Sequence, residues 1–340
     1  MSDAGQTRPT GGEASRADAL SCLVGLGSPG YRRADVMRLA GIEHDRTVRW
    51  WRAMGFPEVP EDVPAFAELD IEIAKRLAAL TGAGLLDDDS IMRLARLLGT
   101  SFSRIAETQV ELVEQVLAAV PGGDPDDGTT RPRDLATVVE EIDESMLGLL
   151  EEALVYVWRR HLFAALGRRL ETDENAVEQA VGFVDLSGFA RMSQSVAGAR
   201  LAELVDAFER VGFDVVSARG GRVIKLIGDE IMFVAPTLPV AVDIALDLAD
   251  RFAAIDDMPG IHCGIAVGPT VTVGGDVFGA TVNLAARLTT LARRDTILLP
   301  SDSVGELADR DDLAFVRVRR AFEPKGMGPI RVTAVRRAGA

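Results

Sequence analysis

The chain is poor in cysteine, in aromatic residues and in positive charge, and each shortage closes off a class of protein. Two cysteines in 340 residues, Cys22 and Cys263, allow neither a disulfide framework nor the paired spacing of a zinc site. That usage fits free thiols in a reducing cytoplasm. Aromatic residues make up only 5% of a chain that is 47% apolar, so leucine, valine, alanine and isoleucine must fill its cores. The formal net charge is −15, with 19 basic and 28 acidic residues in 1–170 and 18 and 24 in 171–340. Both halves therefore repel polyanions, which argues against a dedicated nucleic-acid binder. No uninterrupted apolar run approaches the roughly 20 residues of a membrane helix. The N-terminus also lacks the basic-then-apolar pattern of a secretory signal. The expectation is a cytoplasmic protein of two ordinary domains.

What is present divides near residue 170. Residues 1–17 are polar and rich in glycine, serine and threonine, a composition that predicts a disordered tail. Residues 18–120 read as short helices: Ala34 to Leu39, a turn at Gly41, Thr47 to Met54, Asp70 to Leu80, and Asp89 to Leu98. Gly99 reads as a stop, with Ser101 or Ser103 capping a further helix to Val120. The run from Pro121 to Gly128 is a break. From Asp134 to Leu170, apolar residues at three- and four-residue steps predict a connector helix of about 55 Å.

From residue 178 the pattern changes to strands at Ala180 to Val184, Arg222 to Ile227 and Ile231 to Ala235, then Ile261 to Val267, Thr270 to Val273 and Thr296 to Leu299. Helices are expected at Arg200 to Ser217, Leu238 to Ala254 and Thr281 to Ala292, and a Gly-Pro turn at 268–269. The βαββαβ order predicts a ferredoxin-like α+β domain with additions over 171–340, behind an all-α domain over 18–170.

Three segments of the second half place charged or amide residues beside glycine. They are Phe183-Val184-Asp185-Leu186-Ser187-Gly188-Phe189, Lys225-Leu226-Ile227-Gly228-Asp229-Glu230, and Asp276-Val277-Phe278-Gly279-Ala280-Thr281-Val282-Asn283-Leu284-Ala285-Ala286-Arg287. Asp185 ends an apolar strand and Asp229 lies in a turn between two others. Adjacent antiparallel strands would bring the two carboxylates together, and such a pair favours a divalent cation. Either residue alone could equally be a turn or hairpin residue. Lys225, in an otherwise apolar strand, could donate to adenine N1, and Asp276 could accept from its 6-amino group; guanine presents the opposite polarity. Asn283 and Arg287, four apart on one helical face, could orient a ribose and meet charge growing on a phosphate. Lys325, in Glu323-Pro324-Lys325-Gly326, could hold outer phosphates or simply sit in a solvated loop.

In this order and spacing the segments resemble the class III nucleotidyl cyclases, and the adenylyl cyclases among them, over residues 178–337. The resemblance implies an adenylyl cyclase that turns ATP into 3′,5′-cyclic AMP and pyrophosphate. It implies two divalent cations, Mg²⁺ or Mn²⁺, on Asp185 and Asp229. It also implies adenine selection by Lys225 and Asp276, transition-state roles for Asn283 and Arg287, and phosphate binding by Lys325. Ala190 departs from the family, where threonine commonly follows Gly-Phe. The family's sites are composite, so a homodimer with sites at its interface is implied.

Residues 18–170 resemble the helical autoinhibitory domain of soluble mycobacterial-type cyclases, which implies regulation by a proton, a lipid or a protein. His161, beside Arg159 and Arg160, is a candidate protonation switch. Residues 31–56 are similar to the helix-turn-helix of MerR-type regulators, with six arginines against three acids over 31–54. DNA binding by the N-terminal half, coupled to a cyclase-like sensor, is the alternative. An inactive scaffold is a third reading.

Overall fold

The structure is a computed structural model, and it describes residues 21–22, 24–119, 144–171, 176–318, 322 and 328–339. Two compact units divide at Ala165 and Leu166. The predicted tail over 1–17 and the first part of the connector, 134–143, lie outside the described residues.

In the N-terminal unit the described helices are α1 (Arg33–Ala40), α2 (His44–Ala53), α3 (Glu68–Gly82), α4 (Asp88–Ala119) and α5 (Glu144–Glu171), the last running across the division. Gly41 ends α1 in the left-handed conformation, as its place between two helical patterns predicts. Asp87 caps α4 by accepting the Ser90 amide at 2.6 Å. The expected break at Gly99 is absent: α4 is one helix of 32 residues. Gly99 is there for proximity instead, since a Cβ at this position would run into the backbone of Met54 at the end of α2. Val36, Phe66 and Ile71 form one small buried cluster, and Ile42, Trp50 and Ile91 another.

The C-terminal unit runs β1 (Ala176–Leu186), α6 (Phe189–Met192), α7 (Gly198–Ala218), β2 (Arg222–Ile227), β3 (Glu230–Ala235), α8 (Leu238–Ala253) and β4 (Ile261–Val273). It continues with β5 (Asp276–Phe278), α9 (Ala280–Leu291), β6 (Thr296–Pro300), a short 3₁₀ turn, β7 (Leu313–Arg317) and β8 (Val332–Arg337). The strands form one mixed sheet in the order β2-β3-β1-β4-β6-β8-β7, with β5 paired to β4. Only β4 and β6 run parallel among the described pairs. The α+β expectation holds, and β5, β7 and β8 are additions to it.

Alternation along the strands sorts the core onto two faces. Val184, Ile231, Phe233, Cys263 and Ile265 pack beneath Leu204, Phe208, Leu248 and Phe252 of α7 and α8. Val181, Phe183, Met232, Val234 and Ala266 face the other way, toward Ala285 of α9. The turn expected at Gly268-Pro269 is also absent. β4 stays extended because β1 pairs with it from Ile261 to Val271. Within this strand Gly268 has φ +153°, a region that glycine tolerates, and the Pro269 carbonyl accepts the Thr281 hydroxyl at 2.9 Å.

Candidate active site

The charged residues collect at one end of the sheet, on the face toward α9. Asp185 follows Val181 and Phe183 in the alternation of β1, and its direct partners are Glu230 on β3 and His262 on β4. Glu230 precedes Met232 and His262 precedes Ala266 on the same face. Asp229 occupies the β2–β3 turn, where its carbonyl accepts the Leu186 amide at 3.2 Å, which holds the turn against the end of β1 that carries Asp185.

Close approach of these acids shows in their affinity for protons. Burial holds the Asp185 carboxyl above the usual carboxylate range; Asp229 adds to the rise and His262 opposes it. Glu230 is pushed up to about 7, first by burial and then by Asp185 and Asp229, with Lys225 pulling it down. Half-buried oxygens that resist joint ionisation are a donor set suited to a hard cation. Among the described residues no group of three or more His, Cys, Asp and Glu is arranged to hold a metal. Asp185 and Asp229 are the residues here that could hold such a cation. Magnesium and manganese sites in which substrate phosphates complete the shell need no more than this.

Lys225 reaches this face through a bulge. The β2–β3 register shifts between Val223 and Lys225. Val223 and Leu226 thus both pack on the core under α7 and α8, while Ile224 packs on the opposite one. Bulges commonly re-aim a side chain beside a functional site. Lys225 Nζ donates to Asp276 Oδ2 at 2.6 Å across 51 residues of sequence, and Asp276 Oδ1 accepts the Val277 amide at 2.8 Å. Both side chains keep about a third of their surface exposed, so this donor and acceptor remain open to a planar ligand.

The helix α9 comes close because Gly264 leaves room for it: a Cβ there would strike the backbone of Ala285 and Thr289. The Thr289 hydroxyl donates to the Phe183 carbonyl at 3.3 Å. Val282, Leu284 and Ala285 pack inward. Asn283 is exposed and Arg287 half-buried, and neither side chain has a hydrogen-bond partner among the described residues. Lys325 lies outside the described residues, and His161 is exposed on α5.

Sequence reasoning missed three members of this neighbourhood: Glu230, Ser187 and His262. A lone polar residue in the apolar run Ile261-His262-Cys263-Gly264-Ile265 was the available signal for the last.

In the helix-turn-helix-like segment several arginines pair with acids of the same unit. Arg33 pairs with Glu58 at 3.3 Å and Arg46 with Asp88 at 2.6 Å, and Arg52 also bonds Glu58. Arg46 stacks over Trp50, which is buried. Arg38, Arg49 and Arg52 keep 60–67% of their side chains exposed beside acidic neighbours. Among the described residues no helix is long and apolar enough to cross a membrane.

Comparison with known proteins gives a concordant set of likenesses. The family model for the adenylate and guanylate cyclase catalytic domain matches residues 172–334. An adenylate cyclase of Streptomyces coelicolor is 40% identical over 281 residues, covering 82% of this chain and 71% of the relative. An adenylate cyclase of Glutamicibacter nicotianae is 32% identical over 329 residues, 91% of this chain and 79% of the relative. Both likenesses extend well into the N-terminal half. Among solved structures, the adenylyl cyclase CyaB from P. aeruginosa is 20% identical with a TM-score of 0.41, covering 47% of this chain and 94% of that one.

Proposed function

The chain belongs to the class III cyclases and is an adenylate cyclase of the actinobacterial type, and from that premise we propose how its residues divide the work. Residues 171–340 form the catalytic domain and 18–170 a regulatory domain. Asp185 and Asp229 hold the divalent cations, two per site and Mg²⁺ or Mn²⁺. When bound, these supply Lewis-acid activation of the ribose 3′-hydroxyl and neutralise the triphosphate. Lys225 donates to adenine N1 and Asp276 accepts from the 6-amino group. The Lys225–Asp276 contact at 2.6 Å is the observation that carries the preference for ATP over GTP.

Asn283 orients the ribose. The 3′-oxygen forms its bond to the α-phosphorus as the bond to the bridging oxygen breaks and pyrophosphate leaves; the hydroxyl proton passes to solvent. Arg287 meets the negative charge that grows on the α-phosphate. Lys325 holds the β- and γ-phosphates. These roles are split across a head-to-tail homodimer, the aspartates of one protomer facing the base-reading and transition-state residues of its partner. Ile227, Val271, Val273 and Phe278, all about half exposed beside Lys225 and Asp276, support a surface that a second copy covers.

Regulation passes along α5, with a proton, a lipid or a protein as the signal and His161 as the candidate protonation switch. An unchanged pH–activity profile in His161→Ala removes that residue from the account. The test of the activity is cyclic nucleotide formed from ATP or GTP with Mg²⁺ or Mn²⁺, beside Asp229→Ala. The expected result is cyclic AMP from ATP, abolished by the substitution. If the full chain is silent, activity of residues 171–340 alone supports autoinhibition, and silence of both contradicts the proposal.

A further inference from the structure

Three side chains at the site, Glu230, Ser187 and His262, have no part in the roles above, and His262 touches the metal-site residues most directly. His262 is the register partner of Asp185 on β4, so both side chains leave the sheet on the same face, where directly opposed residues meet. Its Nε2 lies 3.4 Å from Asp185 Oδ2, and its Nδ1 lies 3.0 Å from Ser187 Oγ. An ionised carboxylate can only accept. With the hydrogen on Nε2, the ring turns a donor toward the Asp185 carboxylate and Nδ1 accepts from the Ser187 hydroxyl.

Ser187 is the first residue beyond β1. Its amide donates to the Gly260 carbonyl at 2.8 Å, just before β4 begins. The imidazole thus spans the last carboxylate of β1 and the first residue of the turn that follows. The ring is largely enclosed, with 19% of its side chain exposed. Its Nε2 stands beside Oδ2 of Asp185 on the β4 side, at ion-pair distance, while Asp229 lies in the β2–β3 turn.

We infer that His262 is a positioning residue for the metal site: it fixes the rotamer of Asp185 and ties that carboxylate to the Ser187 turn. The inference rests on the reading of Asp185 as a metal ligand. A free carboxylate at a strand end samples several rotamers, and a cation that prefers near-octahedral geometry gains from having one selected in advance. Replacing groups that orient a ligand in this way typically lowers metal affinity by about 10- to 100-fold. Ser187 acts one step further out, so its loss costs less.

The test uses the full chain with 3′-deoxy-ATP, which carries the triphosphate but lacks the attacking hydroxyl. Manganese is titrated in and the protein-bound ion followed by electron paramagnetic resonance. His262→Leu fills the ring's space without a donor and is expected to weaken Mn²⁺ binding at least about 10-fold, with an unchanged melting temperature. His262→Gln restores an N–H toward Asp185 and is expected to recover most of that loss. Asp185→Asn separates the two readings. If it leaves Mn²⁺ binding intact, or if the unaltered chain binds none, the metal assignment falls and this inference with it. If Asp185→Asn abolishes binding while His262→Leu binds as tightly as the unaltered chain, only the role of His262 is overturned. Should His262→Leu fail to fold, Ser187→Ala decides: binding weakened a few-fold supports the clamp, and unaltered binding overturns it.

Discussion

Phe208, Phe233 and Phe252 in the C-terminal unit are sealed between the sheet and α7 and α8, with two of the rings stacked 5.1 Å apart. In the N-terminal unit Trp158 and Phe163 stand 59% and 71% exposed on α5, and Leu94, Leu97 and Phe102 are about half exposed on α4. A cavity of about 230 Å³ lies among Val36, Trp50, Trp51 and Phe66. The same alphabet of apolar residues serves two ends. One unit uses it to make a rigid platform, on which a few polar groups can be held at fixed distances. The other leaves much of it facing outward, as an element does whose partners are not all its own. Catalytic geometry belongs on the first kind of scaffold, and the second is compatible with the regulatory role proposed for the N-terminal half.

Five substitutions sharpen or break this contrast. The largest effect is expected at Arg287→Ala on the rigid platform: kcat down about 10²- to 10³-fold, as when a group meeting transition-state charge is removed. KM for ATP and the melting temperature should stay close to the parent, and a fall in stability instead would make Arg287 a structural residue. Next, Phe252→Ala should cost about 3–5 kcal/mol in urea unfolding. Phe163→Ser on α5 should cost no more than about 0.5 kcal/mol in a lone chain. A larger, concentration-dependent loss at Phe163 would show that its face is covered by a second copy.

Gly99→Ala tests the sign of an effect. Helix propensity alone would gain about 1 kcal/mol, but the methyl meets the Met54 backbone. The expected outcome is a loss of about 1–3 kcal/mol. The smallest effect belongs to Arg337→Ala, which removes bonds to Asp247 and Asp250 at 2.9 and 2.8 Å on a partly exposed flank. About 0.2–1 kcal/mol at low salt should fade at 1 M salt.

Much of the platform was legible because its signals are local. Gly228-Asp229 between two apolar runs announces a hairpin, and the spacing of Asn283 and Arg287 announces a shared helical face. Gly99 and Gly268 misled for one reason: a glycine read by itself signals a break, yet each answers a neighbour distant in sequence, Met54 in one case and the β1 ladder in the other. The re-aiming of Lys225 depends on a one-residue slip against β3, which no periodicity in β2 reveals. His262 gains its place from register with Asp185, 77 positions earlier, and pairing of that range is set by the sheet rather than by either segment.

The division of each site between two protomers is the central claim, and mixing two crippled chains tests it most directly. Asp229→Ala and Arg287→Ala should each be nearly inactive alone. Composite sites predict that refolding them together restores roughly a quarter of the parent cyclic AMP production, since random pairing makes half the dimers mixed and each mixed dimer has one intact site. A mixture that forms dimers yet stays as silent as its parts would place every catalytic group within one chain and contradict the account.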